Sequence, residues 1–455
     1  MIWNEARECM SRDELAVLQG RRLVELVKYM YDNAGYYMKK MRKIGLEPGD
    51  IREIGDLPKL PFTTREDLIE AYPAGLLVMS NSRIVHYYGS DHNTGFAGRE
   101  TLAGYTQHDM DIWKECMARS ISMAGLGEED VIQVGCSYGV FGDGIGVHGG
   151  AQEVGATVIP ASDYKPAMLG ALMRRLRVTG IVSPYSYLMR VAKFVEKRGM
   201  KNMLRLKAAV CGGGSGTESV QKRIQDRLGI KVYDIFGLDE LTGLGVACEC
   251  ACQNGLHIQE DYFLAEVVDA HKLLVLPGGV RGELVFTTLQ KEGIPLIRYR
   301  TMSHTKINYE KCECGRTMAR MDKVFYGEND VLQVRGNDVP VSQIDAALSA
   351  VQDREASYIL YVRKEHNYDV VDVYIVCAEK NGAAARGEDR RRAVADAVAA
   401  VIGTQPVVYY ARIAKSGALC GTHGEVFRDD FGEEYRKDAI EKRVTIVDER
   451  KYRQD

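Results

Sequence analysis

Neither charge dominates the 455-residue chain: 60 Lys and Arg against 63 Asp and Glu leave a formal net charge of -3. Nucleic acid or an anionic membrane is gripped by a basic field, and this balance supplies none. Long apolar runs are also missing. None reaches the roughly 20 residues needed to span a bilayer, and the first residues lack the basic, apolar, small-residue order of a secretory signal. These absences make a cytoplasmic protein the expectation. Its 11 Cys, thinly spread over so long a chain, argue against a disulfide framework and for reduced thiols and a metal. A chain this long buries a large core and divides into two or three domains.

What is present starts with sulfur and imidazole. Cys250 and His257 form a C-x6-H, and Cys312 and Cys314 a C-x-C-G some fifty residues later. Soft thiolates and neutral imidazole bind zinc tetrahedrally and pin distant segments together, so a structural Zn2+ is expected. Cys248 and Cys252 flank the first pair, and either substitutes for Cys250 on spacing alone.

Apolar periodicity outlines the architecture. Leu15, Leu18, Leu23, Leu26, Val27 and Met30 recur at helical spacing. From about Val131, short apolar runs (131–134, 156–159, 180–182, 207–210 and 231–235) alternate with helical stretches such as 168–177 and 217–228. That alternation predicts an α/β sheet with helices on its faces. Strands and turns follow from Leu264 to Ile307. Near Gly327 to Asp330 a boundary divides a large domain, 1–328, from a small α+β domain, 329–455, with strands at 358–362, 371–376 and 407–413 and a helix at 389–401.

Two glycine-rich stretches need separate readings. Gly144, Gly146 and Gly149 fit G-x-G-x-x-G, but no carboxylate stands about twenty residues on at a strand end, so close helix packing is the better account. The loop Gly212 to Thr217, with Gly213, lies between a strand and a helix, where backbone N–H groups can hold an anion. It lacks the Lys of a Walker loop.

A series of ordered motifs runs through almost the whole chain: Leu57-Pro-Lys-Leu-Pro-Phe-Thr-Thr-Arg-Glu-Asp-Leu68, Tyr233-Asp-Ile-Phe-Gly-Leu-Asp-Glu240, Gly255-Leu-His-Ile-Gln-Glu-Asp261, Gly282-Glu-Leu-Val-Phe-Thr-Thr-Leu289, Pro295-Leu-Ile-Arg-Tyr-Arg-Thr301, and Lys442 to Arg450. Together they resemble the phenylacetate-CoA ligases, members of the adenylate-forming acyl-CoA synthetase superfamily. The resemblance implies that superfamily's fold, a large α/β domain with a β-rich subdomain and a mobile C-terminal lid, in a homodimer. It also implies an enzyme that activates an aryl or other small carboxylic acid as the acyl-adenylate with ATP and Mg2+, then transfers it to CoA.

Carried over residue by residue, the resemblance places the phosphate loop at Thr94, Gly95, Gly98, Arg99 and Thr101. The adenine region falls at Asp234, Phe236 and Gly237, with Phe236 as the stacking face. Glu240 becomes the magnesium carboxylate, Asp330 the hinge, and Lys442 the lysine delivered to the reacting groups. The match has gaps. Phe96 and Ala97 replace two threonines, Glu100 a proline, Asp239 a hydroxyl residue, Ser303 the ribose acid, and Gly327 the hinge arginine. A hydrogen bond to a charged group is worth about 1.5–3 kcal/mol, so three uncompensated losses remove roughly 5–9 kcal/mol of nucleotide affinity, on the order of three to six decades. The alternative to a ligase is accordingly a repurposed relative that binds an acyl or CoA ligand or a partner, or catalyses another transfer.

Overall fold

The computed structural model describes residues 1–72, 76–90, 101–162, 164, 166–212 and 218–326, and beyond these 331–334, 337–340, 344, 347–348, 351, 357–365, 368–376, 388–413, 424–429 and 444–448. Contacts gather into two units, Met1–Gly213 with Ile224–Val324, and Gly214–Arg223 with Phe325–Asp455.

The first unit is built on a nine-stranded sheet. Its spatial order is Ile307–Asn308, Arg320–Met321, Leu256–Ile258, Gly243–Glu249, Lys231–Leu238, Ala208–Gly212, Gly180–Pro184, Val131–Val134 and Thr157–Pro160. From Lys231–Leu238 to Thr157–Pro160 every pairing is parallel. On its other side Lys231–Leu238 pairs antiparallel, as do the strands beyond. Parallel neighbours need long crossovers, and the helices Gly144–Glu153, Pro166–Arg175, Tyr185–Lys197 and Glu218–Leu228 supply them, close to the alternation read from the sequence.

The helix Gln107–Met123 runs against Gly144–Glu153. A Cβ on Gly146 would lie 2.0 Å from the Trp113 ring, and one on Gly149 2.6 Å from Lys114 Cγ. The G-x-G-x-x-G pattern is therefore a packing device, as expected.

A second sheet, antiparallel, joins Phe263–Val268, Gly282–Thr288 and Tyr299–Thr305. The long helix Arg12–Asn33 covers it, with Leu23, Leu26, Val27 and Met30 in one core with Phe263, Leu284, Phe286 and Leu296. That helix starts cleanly because Ser11 and Glu14 close a reciprocal capping box. The segment Leu57–Leu68, read only as a family signature, turns out to be a brace. Thr63 N–H donates to Arg298 O, Arg300 N–H donates to Thr63 O, and the Thr63 hydroxyl donates to Ile297 O, which fixes the start of Tyr299–Thr305.

The second unit holds a five-stranded sheet in the order Gly424–Asp429, Ser357–Glu365, Tyr368–Val376, Val407–Ile413, Val444–Asp448. Val394, Ala395, Val398 and Ile402 of the helix Glu388–Ile402 pack on Leu360, Val371, Val373 and Val408. Among the described residues, no helix of either unit is long and apolar enough to cross a membrane.

Candidate active site and metal centre

The hairpin His86–Ser90 with Thr101–Tyr105 is antiparallel, with Tyr88 opposite Ala103 and Ser90 opposite Thr101. Its connecting residues, 91–100, carry the expected phosphate loop and lie outside the described residues. The base of the hairpin is rigid for an aromatic reason. Tyr88, Tyr105 and Trp113 are buried, with ring centroids 5.2–6.2 Å apart, and Trp113 Nε1 donates to Leu244 O at 2.8 Å.

Opposite the hairpin, the strand Lys231–Leu238 ends in the turn that carries Asp239 and Glu240. The chain folds back so tightly that a Cβ on Gly237 would lie 1.9 Å from Gly243 O; only glycine fits. Thr101, Leu102 and Ala103 of the hairpin, Tyr88, Asp239, Glu240, Leu68, Tyr72 and Leu296 line one cleft. The structure thus brings Thr101 and Glu240 together.

Hydrogen bonds hold the rest of this wall. The Tyr88 hydroxyl lies 2.8 Å from Asp143 Oδ1 and 3.0 Å from Asp239 Oδ1. Leu244 N–H donates to the same Asp143 oxygen, and Tyr105 OH donates to Asp239 O. Burial pushes Asp143 above the usual carboxylate range, against the pull of these donors. Asp239, which stands where the resemblance puts a hydroxyl residue, is therefore tied to a buried tyrosine.

Glu240 is 6% exposed, and burial, with the Glu240 charge adding to it, drives the Tyr299 hydroxyl well above its ordinary pKa. Behind the turn lies Lys291. Its ammonium donates to Glu240 O at 2.9 Å and Leu241 O at 2.5 Å and sits 4.3 Å from the Tyr105 ring centroid. Burial lowers it to about 8, although Asp109 and Glu240 oppose that. Asp109 closes the arrangement by accepting from Glu292 N–H and Gly293 N–H at 2.7 and 3.0 Å. Lys291, Tyr299, Tyr88 and Asp143 were not found in the sequence. One lysine directly after the apolar strand Gly282–Thr288 was the only signal available for the first.

Other expected residues fall elsewhere. Phe236 needs correction: it is 5% exposed and its ring stacks on Phe286 at 6.1 Å, so it is part of the core and not an open face for adenine. Strand alternation turns it inward on the side facing the second sheet. Ser303 is buried, with its hydroxyl on Thr301 O; the ribose acid is absent there, and Met302 before it holds a left-handed φ of 57°. Gly213, Thr94, Gly95, Gly98, Arg99, Asp330 and Lys442 lie outside the described residues, as do the replaced positions Phe96, Ala97 and Gly327.

Asp234 is apart from the cleft. It accepts from Tyr185 OH at 3.1 Å, its N–H donates to Glu249, and Lys323 Nζ is 4.0 Å away. Burial raises it to about 7, with Lys323 opposing and Glu249 adding to the rise.

The sulfur and imidazole donors converge. Ligand atoms of Cys250, His257, Cys312 and Cys314 all lie within 4.8 Å of one another. Cys250 Sγ is 3.8 Å from Cys312 Sγ, and Cys314 Sγ is 3.5 Å from His257 Nε2. A tetrahedron with bonds of about 2.3 Å has edges of about 3.8 Å, which this spacing matches. His257 Nδ1 faces Met318 O at 3.3 Å, which leaves Nε2 to point at the cluster. The two alternatives drop out, since Cys248 Sγ is engaged with Ser120 O at 3.8 Å and Cys252 is exposed.

Comparison with known proteins now defines the class and then the family. The crystal structure of 2-hydroxyisobutyryl-CoA ligase in the postadenylation state matches with a TM-score of 0.82 over 93% of this chain and 92% of that one, at 23% identity. ATP-bound MatB from Rhodopseudomonas palustris matches at 0.56 over 77% and 68%, at 13% identity. The fold is that of the adenylate-forming CoA ligases. No family model matches the chain. It is nevertheless 36% identical over 381 residues to the phenylacetate-coenzyme A ligase of Thermus thermophilus, spanning 83% of this chain and 85% of that protein. The Escherichia coli phenylacetate-coenzyme A ligase is 36% identical over 377 residues, 82% and 85%. The chain belongs to the phenylacetate-coenzyme A ligase family and is an enzyme.

Asp234 generates a pH prediction. Between the ordinary carboxylate value of about 4 and about 7, the folded protein keeps a proton that the unfolded chain has released. Stability is then complete below that window and falls as pH rises through it. The urea midpoint of the wild type should drop from pH 5 to pH 8, and Asp234→Asn, which keeps an acceptor for Tyr185, should flatten that drop. An equal drop in both proteins contradicts the assignment.

Proposed function

We propose that the chain activates a small carboxylic acid with ATP and transfers the acyl group to CoA. The observation that carries this reading is the cleft of Glu240, Asp239, Tyr88 and Thr101 at the mouth of the phosphate-loop hairpin, in a chain 36% identical to phenylacetate-coenzyme A ligases over four fifths of its length. The acid's carboxylate attacks the α-phosphorus and pyrophosphate leaves; the CoA thiol then attacks the acyl carbonyl, and AMP leaves with the phosphate oxygen.

In this reading Glu240 holds the Mg2+ that neutralises phosphate charge, and Lys442 meets the charge developing between carboxylate and phosphorus. Thr94, Gly95, Gly98, Arg99 and Thr101 cradle the phosphates, Gly213 and Gly237 border the nucleotide, and the part beyond Asp330 is the lid. Phenylacetate is the first acid to test, followed by other aryl and short-chain acids. A homodimer in the cytoplasm completes the proposal. Nothing in the comparisons favours the repurposed alternative, although Phe96, Ala97 and Ser303 are reason to expect weaker ATP affinity than in the relatives.

The test is acid-dependent formation of AMP and acyl-CoA. Wild-type protein should produce both, and Lys442→Ala should fold normally while losing at least about 100-fold in rate, the scale of one electrostatic stabiliser. Production of ADP, or an unchanged rate in Lys442→Ala, rules out the mechanism.

We also propose that Cys250, His257, Cys312 and Cys314 hold one structural Zn2+. The donor set and its 3.8 Å sulfur spacing support it, and a closed four-donor site favours structure over catalysis. Protein purified without added metal should contain one equivalent of zinc. Cys312→Ser with Cys314→Ser should lose it and unfold at lower temperature. Metal-free wild type, or a variant of unchanged stability, refutes the site.

A further inference from the structure

Glu240 is held from behind by a group that does not line the cleft. Its carbonyl, and that of Leu241, take the ammonium of Lys291 at 2.9 and 2.5 Å. Lys291 is 5% exposed and lines a small separate cavity with Asp109, Thr242, Tyr262 and Thr288, whereas Glu240 and Asp239 line the cleft. The ammonium therefore approaches the turn from behind.

Two backbone carbonyls aimed at one buried cation define the course of the turn Asp239–Thr242. A neutral side chain at 291 would take that charged partner from both carbonyls, and hydrogen bonds to a charged group are among the stronger ones. The turn would then relax, and Glu240 with it. Lys291 cannot relax first. Asp109 holds Glu292 N–H and Gly293 N–H, Val78 N–H donates to Gly293 O at 3.2 Å, and a Cβ on Gly293 would lie 2.0 Å from Gly104 O.

We infer that Lys291 is a positioning residue for Glu240, setting the backbone from which its carboxylate serves the cleft. The inference rests on the reading of Glu240 as the magnesium carboxylate and adds the residue that holds it in place. Groups that orient a metal ligand are worth about 10- to 100-fold in metal affinity or activity, and that is the size of effect to look for.

The experiment compares wild type, Glu240→Gln, Lys291→Met and Lys291→Gln in full-length protein. It measures the Mg2+ concentration giving half-maximal rate, KM for the acid, and calorimetric binding of ATP with and without Mg2+. Unfolding midpoints serve as the folding control. All three variants should need about 10-fold or more Mg2+, weaken the magnesium-dependent part of ATP binding, and keep the acid KM. A global structural defect would instead shift acid KM and metal-free ATP binding as well. Should Lys291→Met fail to fold, Lys291→Gln, which keeps a polar group but not the cation, decides alone. If Glu240→Gln leaves the Mg2+ requirement unchanged, the magnesium reading of Glu240 falls. If Glu240→Gln raises it while both Lys291 variants behave as wild type, the positioning inference alone is overturned.

Discussion

The site depends on one backbone crossing. Where the strand Lys231–Leu238 turns into Gly243–Glu249, Gly237 and Gly243 approach so closely that no side chain fits between them, and the turn so formed presents Asp239 and Glu240 to the cleft. This strand is also the seam of the nine-stranded sheet, with a parallel neighbour on one side and an antiparallel neighbour on the other. Crevices in α/β folds form beyond the carboxyl ends of strands where the connectivity changes sense. Glycine at 237 thus serves the fold first, and through the fold the chemistry.

Most of the architecture was legible in the sequence. Parallel strands buried on both faces read as short apolar runs, and Val131–Val134, Gly180–Pro184 and Ala208–Gly212 are of that kind. The helix Arg12–Asn33 showed its core face through 3.6-residue periodicity. The convergence of sulfur and imidazole was legible because few other side chains share their chemistry, and the choice between Cys250 and its neighbours needed three dimensions. What could not be read was polar and long-range. Asp143, Tyr88 and Asp239 are far apart in sequence and meet only through the fold. Lys291 looks like any surface lysine until Asp109 and Tyr105 are seen around it. Phe236 matched a motif, yet a motif does not say which face of a strand a ring occupies.

Charge at the cleft distinguishes this chain from a simple copy of the family pattern. A carboxylate at Asp239 replaces a hydroxyl, and a buried hydroxyl at Tyr88 lies against it. The Arg298 to Thr301 stretch departs less: Arg300 pairs with buried Glu283, and Arg298 with Glu266, so its arginines brace the second sheet even though Ser303 supplies no acid.

The central claim is that this cleft still makes an acyl-adenylate despite the changed phosphate loop. The direct measurement is acid-dependent exchange of labelled pyrophosphate into ATP in the absence of CoA, which reports the first half-reaction alone. Exchange should appear only with a cognate acid and Mg2+, and in Glu240→Gln it should need about 10-fold or more Mg2+. Turnover of acyl-CoA without any such exchange, or exchange in Glu240→Gln at the wild-type Mg2+ requirement, would contradict it.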